Sequence, residues 1–595
     1  LLSSDGSTVQ FEFQAGGKSA AVFSVEERTL TDISHSIWGS FKAAVTLKPP
    51  VTDGLNITGW RSSSSPKLDG KAIGLGAAQR TFSLAIMPDR SGFALGISSS
   101  LIFFNRDGTQ LWKALLSSNP ETLNTNGKVL VAGLQDGTVR WYRVADGKEL
   151  LILFPHKDRK RWVMWTPSGY YHASPGGEDL IGWHLNHGRD REAEFFPASR
   201  FRSTYARPDI IDKILATGDE AEAIRLANAE SGRKEVEAIS IRNKVPPVLA
   251  VLSPPDGSEV SSDTVTIRFS ARSQDPITST KVLLDGRPVS PQSGVKLSAG
   301  VGEFAVTIPQ RDCEISLLAE NRHAMSEPAS VRLRWKGAPP REEASLKPRL
   351  FVLAVGVSQY KRPDMRLLLA AKDALDFAGA WTDQRGRLYS GVEVKALTDA
   401  QATKANILEG MQWLEKQVKS NDVAVLFFAG HGLDDNEGLF YFLPFEGEPG
   451  NLKGTGLPQT DIVATVSAIA GKVLVFMDAC HSGNLMGKTR RRGLMDVNTV
   501  INELAAAENG AIVFSSSTGR QYSLENSDWG NGAFTKGLVE GIGGKADFRG
   551  TGRITVNMLD LYVSERVKEL TEGQQTPTTV KPPNVPDFPV VVLVK

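Results

Sequence analysis

Hydrophobic and polar positions change rhythm several times along the chain, and each change marks an architectural boundary. Up to about residue 190, short apolar or aromatic runs follow turns that contain Gly or Asp-Gly: SSDGSTVQFEF, SSSLIFFNRDGTQLW, GLQDGTVRWYRVADGKEL and WTPSGYYHASPGGEDLIGWHL. The alternating TVRWYRV between Asp136-Gly137 and Asp146-Gly147 predicts a hairpin strand with one buried face. Residues 191–243 predict a helical connector, clearest from 207 onward in PDIIDKIL and DEAEAIRLANAESG. Period two returns over 244–336, where DTVTIRFSAR, TKVLLDGRPV, GEFAVTI, DCEISLLAEN and ASVRLRW predict a β-sandwich. Residues 337–348 are rich in Pro and charge and read as a linker. From 349 to 595, continuous β-branched runs alternate with helical patterns. That predicts an α/β domain whose parallel strands are buried on both faces.

Composition narrows the function classes. A chain of 595 residues is too long for one core and predicts about three or four domains. Lys+Arg 68 against Asp+Glu 67 leaves a net charge of +1, so no global field favours nucleic acid or an anionic membrane. No apolar run reaches bilayer length, and no membrane span is expected. The chain opens LLSSDGSTVQ without Met, which reads as a processed product or a fragment, and a removed signal peptide is compatible with that. Its two cysteines, Cys313 and Cys480, fall in different predicted domains, so neither a disulfide nor a CxxC metal site is expected.

The chemistry concentrates in two motifs, VAVLFFAGHG (423–432) with His431 and KVLVFMDACHSG (472–483) with Cys480. Residues just past the carboxyl ends of neighbouring strands share one crevice in an open α/β sheet. The 49 residues from His431 to Cys480 leave room for the crossover that brings imidazole and thiol together. A lone buried cysteine is often a small hydrophobe; paired with this histidine, Cys480 reads as a nucleophile and His431 as its base or acid. His481 adjoins Cys480 and is expected to face the opposite way along an extended segment. Neither a GxxxxGK[ST] loop nor a GxSxG elbow occurs in 349–595.

Taken in order, FVLAVGVSQY, RLLLAAKDALDFAGAW, FFAGHG, MDACHSG, AIVFSSSTGRQYSLE and WGNGAFTKGLVEGI make residues 349–595 resemble the caspase-like cysteine peptidases of the bacterial metacaspase type. The resemblance implies a mostly parallel sheet and an oxyanion hole built from the backbone amides of Gly432 and Cys480. It also implies an S1 pocket for Arg or Lys in which Asp373 and Asp478 supply the carboxylates, although Ala429 stands where such enzymes often have Ser. Calcium is the family's usual activator. The stretch NLMGKTRRRG after the Cys-His-Ser-Gly lacks an acid before Asp496, and only Asp434 and Asp435 remain nearby, so no cofactor and no calcium requirement are expected. Lys488, Arg490, Arg491 and Arg492 stand where relatives carry a processing linker. They read as a self-cleavage segment, or equally as a solvated basic loop or a site for an acidic partner. The N-terminal pieces resemble diverged WD40-type propeller repeats, with RWY and IGW in place of Trp-Asp. The sandwich is immunoglobulin-like in architecture alone.

The expected protein is therefore a multidomain cysteine endopeptidase acting on protein or peptide substrates. Its propeller or sandwich would bind a regulatory protein partner. The alternative is a catalytically silent scaffold or sensor. A reactive thiol suits a reducing cytoplasm, while the β domains would tolerate a periplasmic or secreted setting.

Overall fold

Positive-φ glycines at Asp-Gly corners reverse the early strands at short intervals. Gly137 and Gly147 have φ of 86° and 74°, a region that costs other residues energy, and each closes its turn with an N–H to Leu134 or Arg143. The structure is a computed structural model and describes residues 1–13, 20–33, 45–75, 79–189, 192–233, 241, 244–292, 294–298, 300–337, 347–435, 438–479, 497–519, 521 and 523–594. Two compact units emerge, one of residues 1–183 and 197–235, the other of 184–196 and 236–595. Among the described residues no helix is long and apolar enough to cross a membrane.

The first unit is built mainly from antiparallel sheets. Thr81–Ile86, Gly92–Ile97, Ser100–Asn105 and Gln110–Leu115 form a four-stranded meander, and six successive strands from Pro120–Thr125 to Tyr171–Ala173 form another. Helices Pro208–Thr217 and Glu220–Ser231 press Ile210, Ile211, Ile214, Ala223 and Ala227 into a core with Phe23, Trp141 and Trp162. They are core elements of this unit. Gly218 in the left-handed region ends the first helix, and the Asp219 carboxylate caps the second by accepting the Glu222 N–H.

In the second unit, two β-sheets of four and five strands between Val248 and Trp335 share a core of Ile267, Phe269, Phe304, Ile315, Leu317 and Val331. Cys313 lies in that core, where burial first and the nearby Asp285 second push its thiol up to about 11. Such a thiol is a packing group with little thiolate character.

The α/β part runs β1 (Arg349–Gly356), α1 (Ala370–Thr382), β2 (Gly391–Thr398), α2 (Lys404–Gln417), β3 (Val423–Ala429), α3 (Gln459–Ala468), β4 (Lys472–Asp478), α4 (Val497–Leu504), β5 (Ala511–Ser515), α5 (Ala533–Glu540), α6 (Val556–Leu570) and β6 (Thr578–Val580). The sheet order is β2-β1-β3-β4-β5-β6, parallel except for β6. Phe351, Leu353 and Val355 of β1 enter one core, and Leu350, Val352 and Ala354 enter the other. Burial on both faces is why these strands read as continuous apolar runs. Strand order reverses direction between β1 and β3, which places the ligand crevice at their carboxyl ends.

A hairpin of the β-sandwich reaches under the opposite edge of this sheet. Asp285 and Gly286, with φ of 49° and 78°, turn Ile277–Leu284 into Arg287–Val289. A Cβ on Gly286 would meet the Val585 side chain at 2.5 Å, and one on Gly510 would meet the Gly286 carbonyl at 1.9 Å. Buried Arg287 donates to the carbonyls of Asn509 at 2.6 Å and Val466 at 2.8 Å, and also to that of Ile469. Burial lowers its pKa to about 9. Arg287→Met would leave these carbonyls without their donor. Chemical denaturation should show the second unit destabilised by roughly 2–4 kcal/mol.

Candidate active site

Register sets the crevice. Gly356, Ala429 and Asp478 stand side by side at the ends of β1, β3 and β4. Two residues beyond Ala429 comes His431, buried at 2% exposure. Its Nε2 lies 2.7 Å from the Met365 carbonyl oxygen, and its main-chain N–H donates to the Tyr360 hydroxyl at 2.7 Å. A carbonyl only accepts, so the bond to Met365 puts a proton on Nε2 and leaves the lone pair of the neutral ring on Nδ1. Gly432 begins a short strand, Gly432–Asp434, antiparallel to Phe440–Phe442. Leu443 donates to the His431 carbonyl, which makes Gly432 and Phe442 a non-hydrogen-bonded pair and leaves the Gly432 N–H outside the ladder. Cys480 lies outside the described residues, as do His481, Lys488, Arg490, Arg491 and Arg492.

Asp373 and Asp478 are brought together. A Cβ on Gly356 would meet the Ala370 carbonyl at 2.3 Å and the Ala374 side chain at 2.7 Å, so α1 sits directly on the end of β1. Ala370, Ala374 and Ala378, with Phe377 and Trp381, form its packed face. Asp373, in its first turn, is 2% exposed and accepts from Asn531 Nδ2 at 2.9 Å and the Gly532 N–H at 3.2 Å. Asp478, 8% exposed, accepts from the Ser523 hydroxyl at 2.6 Å and the Thr535 hydroxyl at 3.2 Å. A Cβ placed on Gly532 would lie 3.1 Å from Asp373 Oδ2 and 3.6 Å from Asp478 Oδ2, so both carboxyls face one spot.

A third acid, Glu525, joins them. Its Oε2 accepts the Leu368 N–H at 3.1 Å, and burial with Asp478 raises its pKa. Burial, then the charge of Asp478, pushes Asp373 up to about 8; burial also raises Asp478. Among the described residues neither carboxyl forms an ion pair with a Lys or Arg, while Asn531 Nδ2 also donates at 2.8 Å to Asp376, the partner of Lys372. Glu525 was not singled out by sequence because SLENSDWGNG carries no signal beyond its turn residues. Tyr360 and the Met365 carbonyl were likewise missed, and a main-chain oxygen has no sequence signature. Asp435 holds a turn, accepting from the Leu439 N–H at 3.0 Å and the Tyr441 hydroxyl at 3.4 Å. Among the described residues no group of three or more His, Cys, Asp or Glu is arranged to hold a metal ion.

Residues 349–587 match the family model described as the caspase domain, and this part of the chain is a caspase domain of the cysteine peptidases. Among solved structures, protein GSU0716 from Geobacter sulfurreducens is 20% identical, with 42% of this chain and 100% of that chain covered at a TM-score of 0.30. No curated protein matches the chain.

The buried acids give the site a signature in stability. Asp373 holds its proton to about pH 8 when folded, against about 3.9 for an exposed aspartate. Between those values the folded state binds more protons than the unfolded one, so stability falls as pH rises through the window. Asp373→Asn should flatten that fall and stabilise the second unit at pH 8 by roughly 1–3 kcal/mol, read from denaturant midpoints at pH 5 and pH 8.

Proposed function

We propose that residues 349–595 form a cysteine endopeptidase that cleaves after Arg or Lys, with Cys480 as nucleophile and His431 as its proton carrier. The observation that supports this most is the carboxyl cluster of buried Asp373 and Asp478 with half-buried Glu525, none of which forms an ion pair with a Lys or Arg among the described residues. Burying like charges together is costly, and a guanidinium or ammonium entering the pocket offsets that cost. The substrate's P1 side chain is the group that would enter, displacing the proton held on the acids.

The reaction follows from the tautomer. Nδ1 of His431 takes the thiol proton as sulfur attacks the scissile carbonyl, then returns it to the departing amine. A second attack by water releases the acyl group. The oxyanion accepts from the amides of Gly432 and Cys480; the position of the Gly432 N–H outside the ladder is consistent with that role. No metal takes part in these steps, and calcium addition or chelation should leave the rate unchanged. The run from Lys488 to Arg492 fits the same P1 preference by sequence, and self-cleavage there belongs to this reading. We assign the meander sheets of the first unit to WD40-like blades and the sandwich to an immunoglobulin-like module. Both would bind a regulatory protein partner.

Peptide reporters with Arg, Lys or Asp at P1 test the proposal. Wild type should cleave the Arg and Lys reporters, and Cys480→Ala and His431→Gln should each lower kcat/KM by about 10³-fold or more. Cleavage only after Asp would overturn the pocket assignment. Cleavage of none, with or without calcium, would favour the silent scaffold. Glu525→Gln should weaken the Arg reporter by about 10-fold, mostly in KM, because it removes charge from the binding pocket and not from the reacting atoms.

A further inference from the structure

The loop between β1 and α1 does more than connect them. Val357 leaves β1 donating to the Ala429 carbonyl at 3.0 Å. The Asp399 carboxylate then accepts the N–H groups of Ser358 at 2.8 Å and Gln359 at 2.7 Å, which pins the loop immediately before Tyr360. Tyr360 turns inward and is only 6% exposed. Its ring lies 4.8 Å from the His431 imidazole, centroid to centroid, with 19° between the planes. Five residues later the same loop offers the Met365 carbonyl to Nε2.

The imidazole is thus held from one loop in two independent ways: a ring edge by Met365 and a ring face by Tyr360. The Tyr360 hydroxyl also fixes the backbone from which the ring hangs, through the His431 N–H. That approach requires a glycine before the histidine, since a Cβ on Gly430 would meet the Tyr360 hydroxyl at 2.7 Å. Burial holds the phenol pKa far above its ordinary value, so Tyr360 stays neutral. A leucine would fill similar space without a flat face or an oxygen. Burying a hydroxyl has a desolvation cost that only its hydrogen bond offsets, which argues against simple core filling.

We propose that Tyr360 is a positioning residue for His431: its ring face and hydroxyl fix the imidazole plane, so that Nε2–H stays on the Met365 carbonyl and Nδ1 is held in one direction. This rests on the peptidase reading for its catalytic consequence, but not for its geometry. Tyr360 touches neither substrate nor the reacting atoms, so its removal should act on turnover and spare the S1 pocket.

The test compares full-length wild type, Tyr360→Phe and Tyr360→Leu by histidine-ring ¹⁵N NMR and by Arg-reporter kinetics, with His431→Gln assigning the ring signals. Wild type should show His431 as the Nε2–H tautomer. Tyr360→Phe keeps the stacked face, so it should keep the tautomer and lose about 3–10-fold in kcat at unchanged KM. Tyr360→Leu should show mixed tautomers and about 10²-fold lower kcat, again with KM unchanged. If Tyr360→Leu fails to fold, Tyr360→Phe carries the test, with the kcat loss at constant KM and constant melting temperature as its readout. The wild-type tautomer and full kcat in Tyr360→Leu would overturn the inference. So would losses in both variants spread alike over kcat, KM and melting temperature. Should wild type cleave no reporter, the peptidase reading fails, and the ring spectra alone decide on Tyr360.

Discussion

Three neighbouring strands that end at the same height are the constraint on which the site depends. Because β1, β3 and β4 are parallel and level at Gly356, Ala429 and Asp478, the chain emerging from each can meet the others within a few residues. Parallel pairing demands crossover helices, crossover helices bury both sheet faces, and burial fixes the register that levels the ends. A slip of one residue in β4 would turn Asp478 to the opposite face and separate it from Asp373. Packing therefore determines site geometry before any polar contact is made.

On that edge the molecule accepts local disadvantage. Two buried carboxyls face one spot with hydroxyl and amide partners and no cation among the described residues, a third acid stands beside them, and an imidazole is enclosed by a phenol and a peptide oxygen. Gathering buried carboxyls without a cation costs the fold stability. A folded chain usually retains such an arrangement where a ligand supplies the missing counter-charge. The close approaches at Gly356, Gly430 and Gly532 serve the same end, since side chains at these positions would push α1, Tyr360 or the acids out of place.

Much of this was legible in the sequence, and what was not shares a physical cause. The apolar runs of β1, β3 and β4 are long, β-branched and uninterrupted, so their type and burial could be read directly. The two helices after residue 207 were legible from their spacing, but their place in the first unit's core was not, because amphipathicity does not name the surface that covers a face. Asp373 and Asp478 could be named only through resemblance. Glu525, Tyr360 and Arg287 carry roles that arise from contacts across 157, 71 and 222 positions of chain, and local pattern is blind to such distances. The Met365 carbonyl is invisible in principle, since every residue has one.

The same strands have a second end, and it is not idle. Arg287 binds carbonyls in the turns that lead into β4 and β5, while the far end of β4 carries Asp478 and that of β5 leads to Ser516, whose side chain also bonds Asp478. A buried cation satisfied by peptide oxygens resists displacement more than an exposed ion pair would, because releasing it strands donors and acceptors together. The sandwich thereby fixes the roots of the strands whose tips carry or adjoin Asp478. A strand held at its root by a neighbouring fold and at its tip by hydroxyls to a buried acid has little freedom to slide. The β-sandwich is on this argument part of what keeps the acids in register, whatever else it binds.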